Sequence, residues 1–308
     1  MKIIVTGSSG FLGTNLVNFL KRNGHNPIEL NSKNCNLIYE KSINKFNNFK
    51  YDLIFHLAAW TQAGDFCLKY PGDQWILNQK INTNILSWWH QKQSQAKLIF
   101  MGTSCAYAPG SNIRESEYMV GEPIESLYTY AMTKRMLYQG ALALNKQYGL
   151  SYLCFVPSTL YGPEYHVDGR QMHFIFDLIR KIIRGKEYGE KVYLWGTGLQ
   201  KREIIFIDDF VKILWSLTNN TKNEIFNIGA GEEHSIKFFA KKICEIVQYP
   251  FELIKFDTNA YVGARTKSLN IKKAKSLCSD YKLTKLEEGL KLTISWFYKH
   301  KAFNLDLK

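Results

Sequence analysis

No apolar run in the chain reaches the ~18 residues that a membrane span needs. The opening residues, MKIIVTGSSGFLG, have neither the apolar h-region nor the small-residue cleavage site of a signal peptide. Six cysteines, Cys35, Cys67, Cys105, Cys154, Cys244 and Cys278, include no C-x-x-C pair. That spacing indicates neither a zinc site nor a disulfide framework, so no metal is expected. Free thiols without an export signal point to a reducing cytoplasm. No internal repeat, low-complexity tract or nucleic-acid fold signature is visible. Acidic residues are in deficit, 27 against 40 basic, for a net charge of +13. A polyanionic partner is one reading of that excess. The basic residues are spread along the chain, though, with only short tight clusters such as Lys272–Lys275. A lysine-rich solvated surface is therefore expected, with no nucleic-acid and no membrane partner. A smaller anion, such as a nucleotide diphosphate, needs only one or two of these charges.

What is present is the balance of a folded protein: 45% apolar and 22% charged residues, over 308 residues that suit two domains or one large one. Near-continuous apolar runs at Lys2–Thr6, Pro27–Leu30, Asp52–Ala59, Lys97–Thr103 and Ser151–Pro157 read as strands. Helical stretches alternate with them, around Ile81–Gln91 and Glu125–Gly149 among others. That alternation predicts an α/β fold, a Rossmann-type, doubly wound, mostly parallel sheet covered on both faces, with about seven strands. After Pro157 the rhythm changes. Ser158–Gly169 reads as a loop, Gln171–Arg184 as an amphipathic helix, Glu203–Ile207 and Glu224–Ile228 as strands, with Asp208 as a helix N-cap. Residues 1–160 with about 204–230 should form the dinucleotide-binding domain. Residues 161–203 with 231–308 should form a smaller substrate lobe.

Two motifs carry chemistry. Gly7-Ser8-Ser9-Gly10-Phe11-Leu12-Gly13 follows the first strand and opens a helix. Backbone N–H groups at such a helix start hold a pyrophosphate, and the glycines let it approach. Tyr130 and Lys134, in Tyr130-Ala131-Met132-Thr133-Lys134, are four apart and share one helix face. A lysine ammonium beside a phenol favours the phenolate, which can accept a proton from a sugar hydroxyl while hydride leaves the same carbon. The exit of the fourth strand, Gly102-Thr103-Ser104-Cys105-Ala106-Tyr107, offers hydroxyls to the same space.

With FHLAA (Phe55–Ala59), Asn78, PSTLYGP (Pro157–Pro163), WGTGLQKRE (Trp195–Glu203) and FIDD (Phe206–Asp209), these motifs make the chain resemble the extended short-chain dehydrogenase/reductases over essentially its whole length. Within them it resembles the nucleotide-sugar enzymes, and most closely the GDP-fucose synthase-like members. The resemblance implies Thr103, Tyr130 and Lys134 as catalytic hydroxyl, base and lysine, with hydride transfer at sugar C4 and NAD or NADP as cofactor. It implies Cys105 and His173 as a proton-transfer pair beside a 4-ketone, the alternative being a full 3,5-epimerase/4-reductase. Trp195 and Arg202 match nucleotide-binding positions, and Ser104 and Lys267 fall on the substrate side, Lys267 toward the diphosphate. Leu57, Ala58, Ala59, Asn78 and Pro157 would line the cofactor, and Asn36 and Leu37 would flank its adenine. A dinucleotide-sensing protein without catalysis is the rival class; such relatives usually lose the tyrosine or the lysine, and both are present.

Two departures bear on cofactor and substrate. The synthases carry an arginine in the glycine loop for the NADP 2′-phosphate, where this chain has Ser9. Asn31 stands where NAD enzymes place Asp or Glu against the ribose, with Lys33 two residues on. Both features lean toward NAD. Trp60–Asp65 differs from the usual synthase segment, so a GDP-heptose is as suitable a substrate as a GDP-hexose. A homodimer is expected. Ile81, Ile85, Trp88 and Trp89 on one helix, and Met136, Leu137, Tyr138, Leu142 and Leu144 on the other, would be buried both on the sheet and across a two-fold axis.

Overall fold

The computed structural model describes residues 1–259 and 265–304. Six strands form one parallel sheet, in the order Glu224–Ile228, Tyr152–Pro157, Lys97–Met101, Leu53–His56, Ile3–Thr6, Ile28–Leu30. Ile4 lies opposite Ile28 on one side and Ile54 on the other. Side chains alternate between the two faces of a strand. Ile4, Ile54, Leu98 and Phe100 therefore share one core with Ile81, Ile85, Trp88, Trp89 and Leu137, from the helices Pro71–Lys92 and Tyr128–Tyr148. Val5, Phe55, Ile99 and Phe155 share the opposite core with Leu16 and Leu20 of helix Phe11–Arg22 and with Phe210 and Leu214 of helix Ile207–Asn220. Burial on both faces is why these strands carry no polar alternation; each fully buried aliphatic or aromatic side chain contributes roughly 1.5–3 kcal/mol. A third cluster draws on residues 161–206 and 236–303, including Ile175, Ile179, Phe239 and Phe297.

Several expectations need correction. The sheet has six strands, not about seven. Ile204–Phe206 pairs instead with Thr159–Tyr161 in a separate two-stranded parallel sheet, because the chain bends at Ser158 and leaves the main ladder. The helix before the fourth strand begins at Pro71, ten residues before Ile81. Its first turns bury Gln74 and Asn78 while exposing Trp75 and Ile76, an inverted pattern that hides its periodicity; Pro71 suits a helix start. Asp208 is not an N-cap. The helix begins at Ile207, leaving Asp208 and Asp209 in its first turn, and Asp209 accepts hydrogen bonds from Thr284.

The residues named for a dimer face behave differently as well. Ile81, Ile85, Trp88, Trp89 and Leu137 are buried within the chain itself. The exposed apolar surface lies further toward the start of these two helices. There Trp75 and Tyr128 line a groove of about 430 Å³ with Pro71, Gly72, Thr129 and Met132.

Candidate active site

The glycine loop sits where the first strand meets its helix. Gly7 has φ +68°, and a Cβ there would lie 2.7 Å from the Ala58 backbone nitrogen. A Cβ on Gly13 would lie 2.1 Å from the Gly7 carbonyl oxygen. Only glycine fits either place, so first strand, helix and the loop after the third strand close on one another. Gly10 precedes the helix without a side-chain cap, which leaves its first-turn N–H groups to an anion. A dinucleotide pyrophosphate fits this cradle. Around it, Ser9 is exposed, while Ser8 is buried and donates to the Leu30 carbonyl at 3.0 Å. Phe11 meets Tyr165 and Phe176 edge-on, joining this helix to the second lobe, and Leu12 packs against the sheet core.

The loop after the third strand is held from below. Leu57 N–H donates to the Thr6 carbonyl at 3.2 Å, and Ala58 N–H to Thr6 Oγ1 at 3.3 Å. Ala59 is half-buried beside them. Asn78 is buried, accepts from Trp60 N–H at 2.9 Å and donates to the Trp60 and Gln74 carbonyls, so its amide positions this loop. After the second strand, Asn31 Oδ1 accepts from the Lys33 and Asn34 N–H groups and shapes that turn. Asn36 Oδ1 likewise accepts from Ile38 N–H. The Leu37 side chain belongs to the sheet core.

The hydroxyls of Thr103 and Tyr130 converge at the carboxyl end of the fourth strand. Thr103 Oγ1 accepts from Cys105 N–H at 3.2 Å, capping the short turn Ser104–Ala106, and its side chain lies beside Tyr130. Lys134 Nζ stands 6.0 Å from the Tyr130 ring centroid. The expected lowering of the phenol is not found. Burial, reinforced by the Cys105 and Cys67 sulfurs, pushes Tyr130 above the ordinary tyrosine value despite the Thr103 side chain beside it. Lys134 itself is brought down to about 8 by burial, with Cys154 opposing. Burial and the Lys134 charge together hold His56 down at about 3, so it is neutral at any working pH.

On the facing wall, Lys267 Nζ donates to Cys105 Sγ at 3.1 Å. Burial raises the Cys105 thiol, but the Lys267 charge and hydrogen bond, the Thr103 side chain and the Arg202 charge outweigh it and leave the thiol below its ordinary value. His173 precedes helix Phe174–Tyr188, and its N–H donates to Tyr165 Oη at 3.1 Å. Its imidazole lies below the ordinary histidine value because protein surrounds it and Lys267 is near. Cys105 and His173 both keep surface open to the cleft while being enclosed by protein. Lys267 thus reaches the sulfur from the wall it shares with Arg202.

Ser104, Ser158, Arg202 and Lys267 line one small pocket, with Glu203 behind it. Arg202 Nη1 also donates to the Lys201 carbonyl at 2.7 Å. Trp195 is 55% exposed, with Lys181 Nζ 5.8 Å from its ring. Pro157 closes the fifth strand, half-buried.

Sequence reasoning missed three features here. Glu203 is buried and raised to about 7 by that burial, although the Gly231, Leu269 and Ala230 backbone N–H groups bond to it. Ser158 Oγ is buried without a hydrogen-bond partner. The Gln171 amide clasps Asp65, accepting from its N–H at 3.1 Å and donating to its carboxylate at 2.9 Å. Glu203 lies in WGTGLQKRE and Ser158 in PSTLYGP, which were the available signals; the Gln171–Asp65 clasp depends on tertiary contact alone. Among the described residues, no group of three or more His, Cys, Asp or Glu is placed to hold a metal ion. No described helix is long and apolar enough to cross a membrane.

With this geometry in place, the chain can be set beside known proteins. It is 28% identical over 307 residues to the GDP-L-fucose synthase of Dictyostelium discoideum, covering 96% of this chain and 94% of that one. It is 26% identical over 311 residues to the GDP-L-colitose synthase of Yersinia pseudotuberculosis, covering 98% and 99%. The UDP-glucose 4-epimerase of Thermotoga maritima, solved with UDP-glucose, superposes with a TM-score of 0.86 at 25% identity, covering 98% and 100%. A family model described as "NAD dependent epimerase/dehydratase family" matches residues 3–229.

Proposed function

The chain belongs to the NAD dependent epimerase/dehydratase family, and from that premise we propose that it transfers hydride at C4 of a GDP-linked hexose or heptose. It is an NAD(P)-dependent nucleotide-sugar enzyme of the extended short-chain dehydrogenase/reductase type, similar to GDP-fucose synthase-like members. The observation that carries the reaction type is the approach of the Thr103 side chain to Tyr130, with Lys134 one turn along the same helix, at the strand end beside the glycine cradle.

Gly7, Gly10 and Gly13 hold the pyrophosphate, and Lys134 holds the nicotinamide ribose. A nicotinamide dinucleotide bound there supplies or accepts the hydride at sugar C4. Burial keeps the Tyr130 phenol protonated, so in the reducing direction its hydroxyl gives a proton to the C4 oxygen. Thr103 hydrogen-bonds that oxygen, and water restores the phenol proton afterwards. Trp195, Arg202 and Ser104 line the nucleotide side. Replacing Tyr130 by Phe is expected to cut turnover at least ~100-fold, as loss of a general acid does, while cofactor titration stays near wild type. More than about a third of wild-type turnover in that variant would refute the assignment.

The 3.1 Å Lys267–Cys105 contact favours a second reading, a 3,5-epimerase/4-reductase. A C4 ketone acidifies the protons on C3 and C5. The Cys105 thiolate removes one of them, leaving the enolate, and His173 returns a proton from the other face. Incubation with a GDP-linked 4-keto sugar in D₂O without reduced cofactor decides between the two. Deuterium at C3 or C5, lost in Cys105→Ser and His173→Asn, establishes epimerisation; none leaves a C4 reductase.

The finer expectations rest on the same site. NAD is preferred over NADP in this reading, because Ser9 and Asn31 offer no cation to a 2′-phosphate. Residues 1–160 with about 204–230 carry the dinucleotide, and the remainder carries the sugar nucleotide. Two copies pair through the groove lined by Trp75, Tyr128 and Met132. The enzyme works in the cytoplasm, in keeping with its free cysteines.

A further inference from the structure

We propose that Lys267 is a positioning residue that keeps the Cys105 sulfur anionic and aimed into the cleft, as the base of the epimerisation step. The proposal begins with the 3.1 Å approach of Lys267 Nζ to Cys105 Sγ. Among the described residues, no carboxylate stands within ion-pair distance of Nζ, so the sulfur is its anionic counterpart. The lysine is also fixed from its backbone. Lys267–Leu269 pairs in parallel with Gly110–Ile113. Lys267 N–H donates to Glu233 Oε2 at 3.2 Å, and Leu269 N–H to Glu203 Oε2 at 2.8 Å. The strand that carries Lys267 is thereby held in place, and the hydrogen bond to Sγ is what fixes the lysine side chain, whose own torsions cost free energy to order.

The groups facing the sulfur divide by sign. Lys267 and Arg202, on the strands Lys267–Leu269 and Lys201–Arg202, are the cations. Thr103 lies beside the sulfur at the end of the fourth strand, its Oγ1 accepting from the Cys105 N–H. Cys67 of helix Phe66–Lys69 and Tyr130 of helix Tyr128–Tyr148 face it from the other side. Burial raises both of these above their ordinary values. Cys105 is the one member of the set given a cation in contact, and a thiol beside a lysine ammonium becomes a thiolate more readily. The pocket beside it holds the partnerless, 6% exposed Ser158 Oγ. A buried polar atom with no partner among the described residues, in the pocket beside the sulfur, suits a group that a bound ligand would satisfy.

The catalytic part of this proposal rests on the epimerase reading, whereas the hold of Lys267 on the sulfur does not. The test is therefore alkylation of the protein by iodoacetamide across pH, read by mass spectrometry on the Cys105 peptide. The wild type should show a midpoint below that of an ordinary thiol. Lys267→Met should raise the midpoint and slow alkylation at neutral pH by about tenfold or more, because the thiolate is the nucleophile. Lys267→Arg should restore most of the rate. Thiolate absorbance near 240 nm, as wild type minus Cys105→Ser, gives the same midpoint without any Lys267 variant and answers the question if Lys267→Met fails to fold. An unshifted midpoint in Lys267→Met, or a wild-type midpoint at or above the ordinary thiol range, overturns the proposal. If the midpoint shifts but the wild type exchanges no C3 or C5 proton in D₂O, the epimerase reading fails and the base assignment with it, while the Lys267–Cys105 pairing stands.

Discussion

Replacing Lys134 by Met should make the protein more stable and catalytically dead. Lys134 is 7% exposed, and among the described residues it has no carboxylate partner. Burial lowers it from an ordinary 10.5 to about 8, so at neutral pH the folded protein carries a poorly solvated ammonium. At ~1.4 kcal/mol per tenfold change in proton affinity, that fall corresponds to roughly 3 kcal/mol of native-state stability lost at pH 7. The sign follows from proton counting. Between pH 8 and 10.5 the unfolded chain holds the lysine proton and the folded chain does not, so wild-type stability rises with pH across that window. Met has similar length and no charge to desolvate. In urea denaturation at pH 7, Lys134→Met should exceed the wild type by up to about 3 kcal/mol, and the gap should close by about pH 10. Turnover should be lost at either pH. Other groups titrate in both proteins and cancel in the difference. A gap that is absent at pH 7, or the same size at both pH values, would show that the ammonium is adequately solvated and that the energetic argument is wrong.

Cofactor titration should show tighter binding of NAD(H) than NADP(H). A clear NADPH preference would reverse this, and Lys33→Ala should then abolish it. Gly13→Ala places a Cβ 2.1 Å from the Gly7 carbonyl oxygen. It should weaken dinucleotide affinity at least tenfold and cost about 1–3 kcal/mol of stability from overpacking, checked by fluorescence titration and urea melts; wild-type affinity would refute the cradle. Sedimentation at micromolar concentration should give twice the 35.7 kDa chain mass, and Trp75→Lys should return it to one chain; a wild-type monomer contradicts the groove as an interface.

The central sheet was legible because its strands are buried on both faces. Runs such as Lys97–Met101 are apolar throughout, and the sharp turn at Gly7 and the packing at Gly13 announce themselves in spacing. What stayed hidden lies across the cleft. Lys267 and Cys105 are separated by 162 residues, and no local period links them. A solvated lysine and one that reaches into the cleft look alike until the strand Lys267–Leu269 is seen to pair with Gly110–Ile113. The helix start at Pro71 was obscured for the opposite reason: its first turns bury the polar Gln74 and Asn78 and expose Trp75 and Ile76, so the usual hydrophobic periodicity appears only later.

The cleft also separates two proton-handling groups by environment rather than by residue type alone. Thr103 lies between them, its side chain beside Tyr130 and its Oγ1 accepting from the Cys105 backbone N–H. Burial drives the phenol upward, and the nearby sulfurs add to the effect; a cation in contact drives the thiol downward. Groups pushed apart in this way take opposite roles, the raised one giving a proton and the lowered one taking it. Such a division suits a site that removes a proton beside a ketone and then protonates the ketone oxygen during reduction. It also couples the two groups: removing the Lys267 charge raises the thiol, which leaves a neutral sulfur near Tyr130 and relieves part of the potential that keeps the phenol protonated. The reduction half of the chemistry would then be altered from a residue that touches neither Tyr130 nor the C4 oxygen.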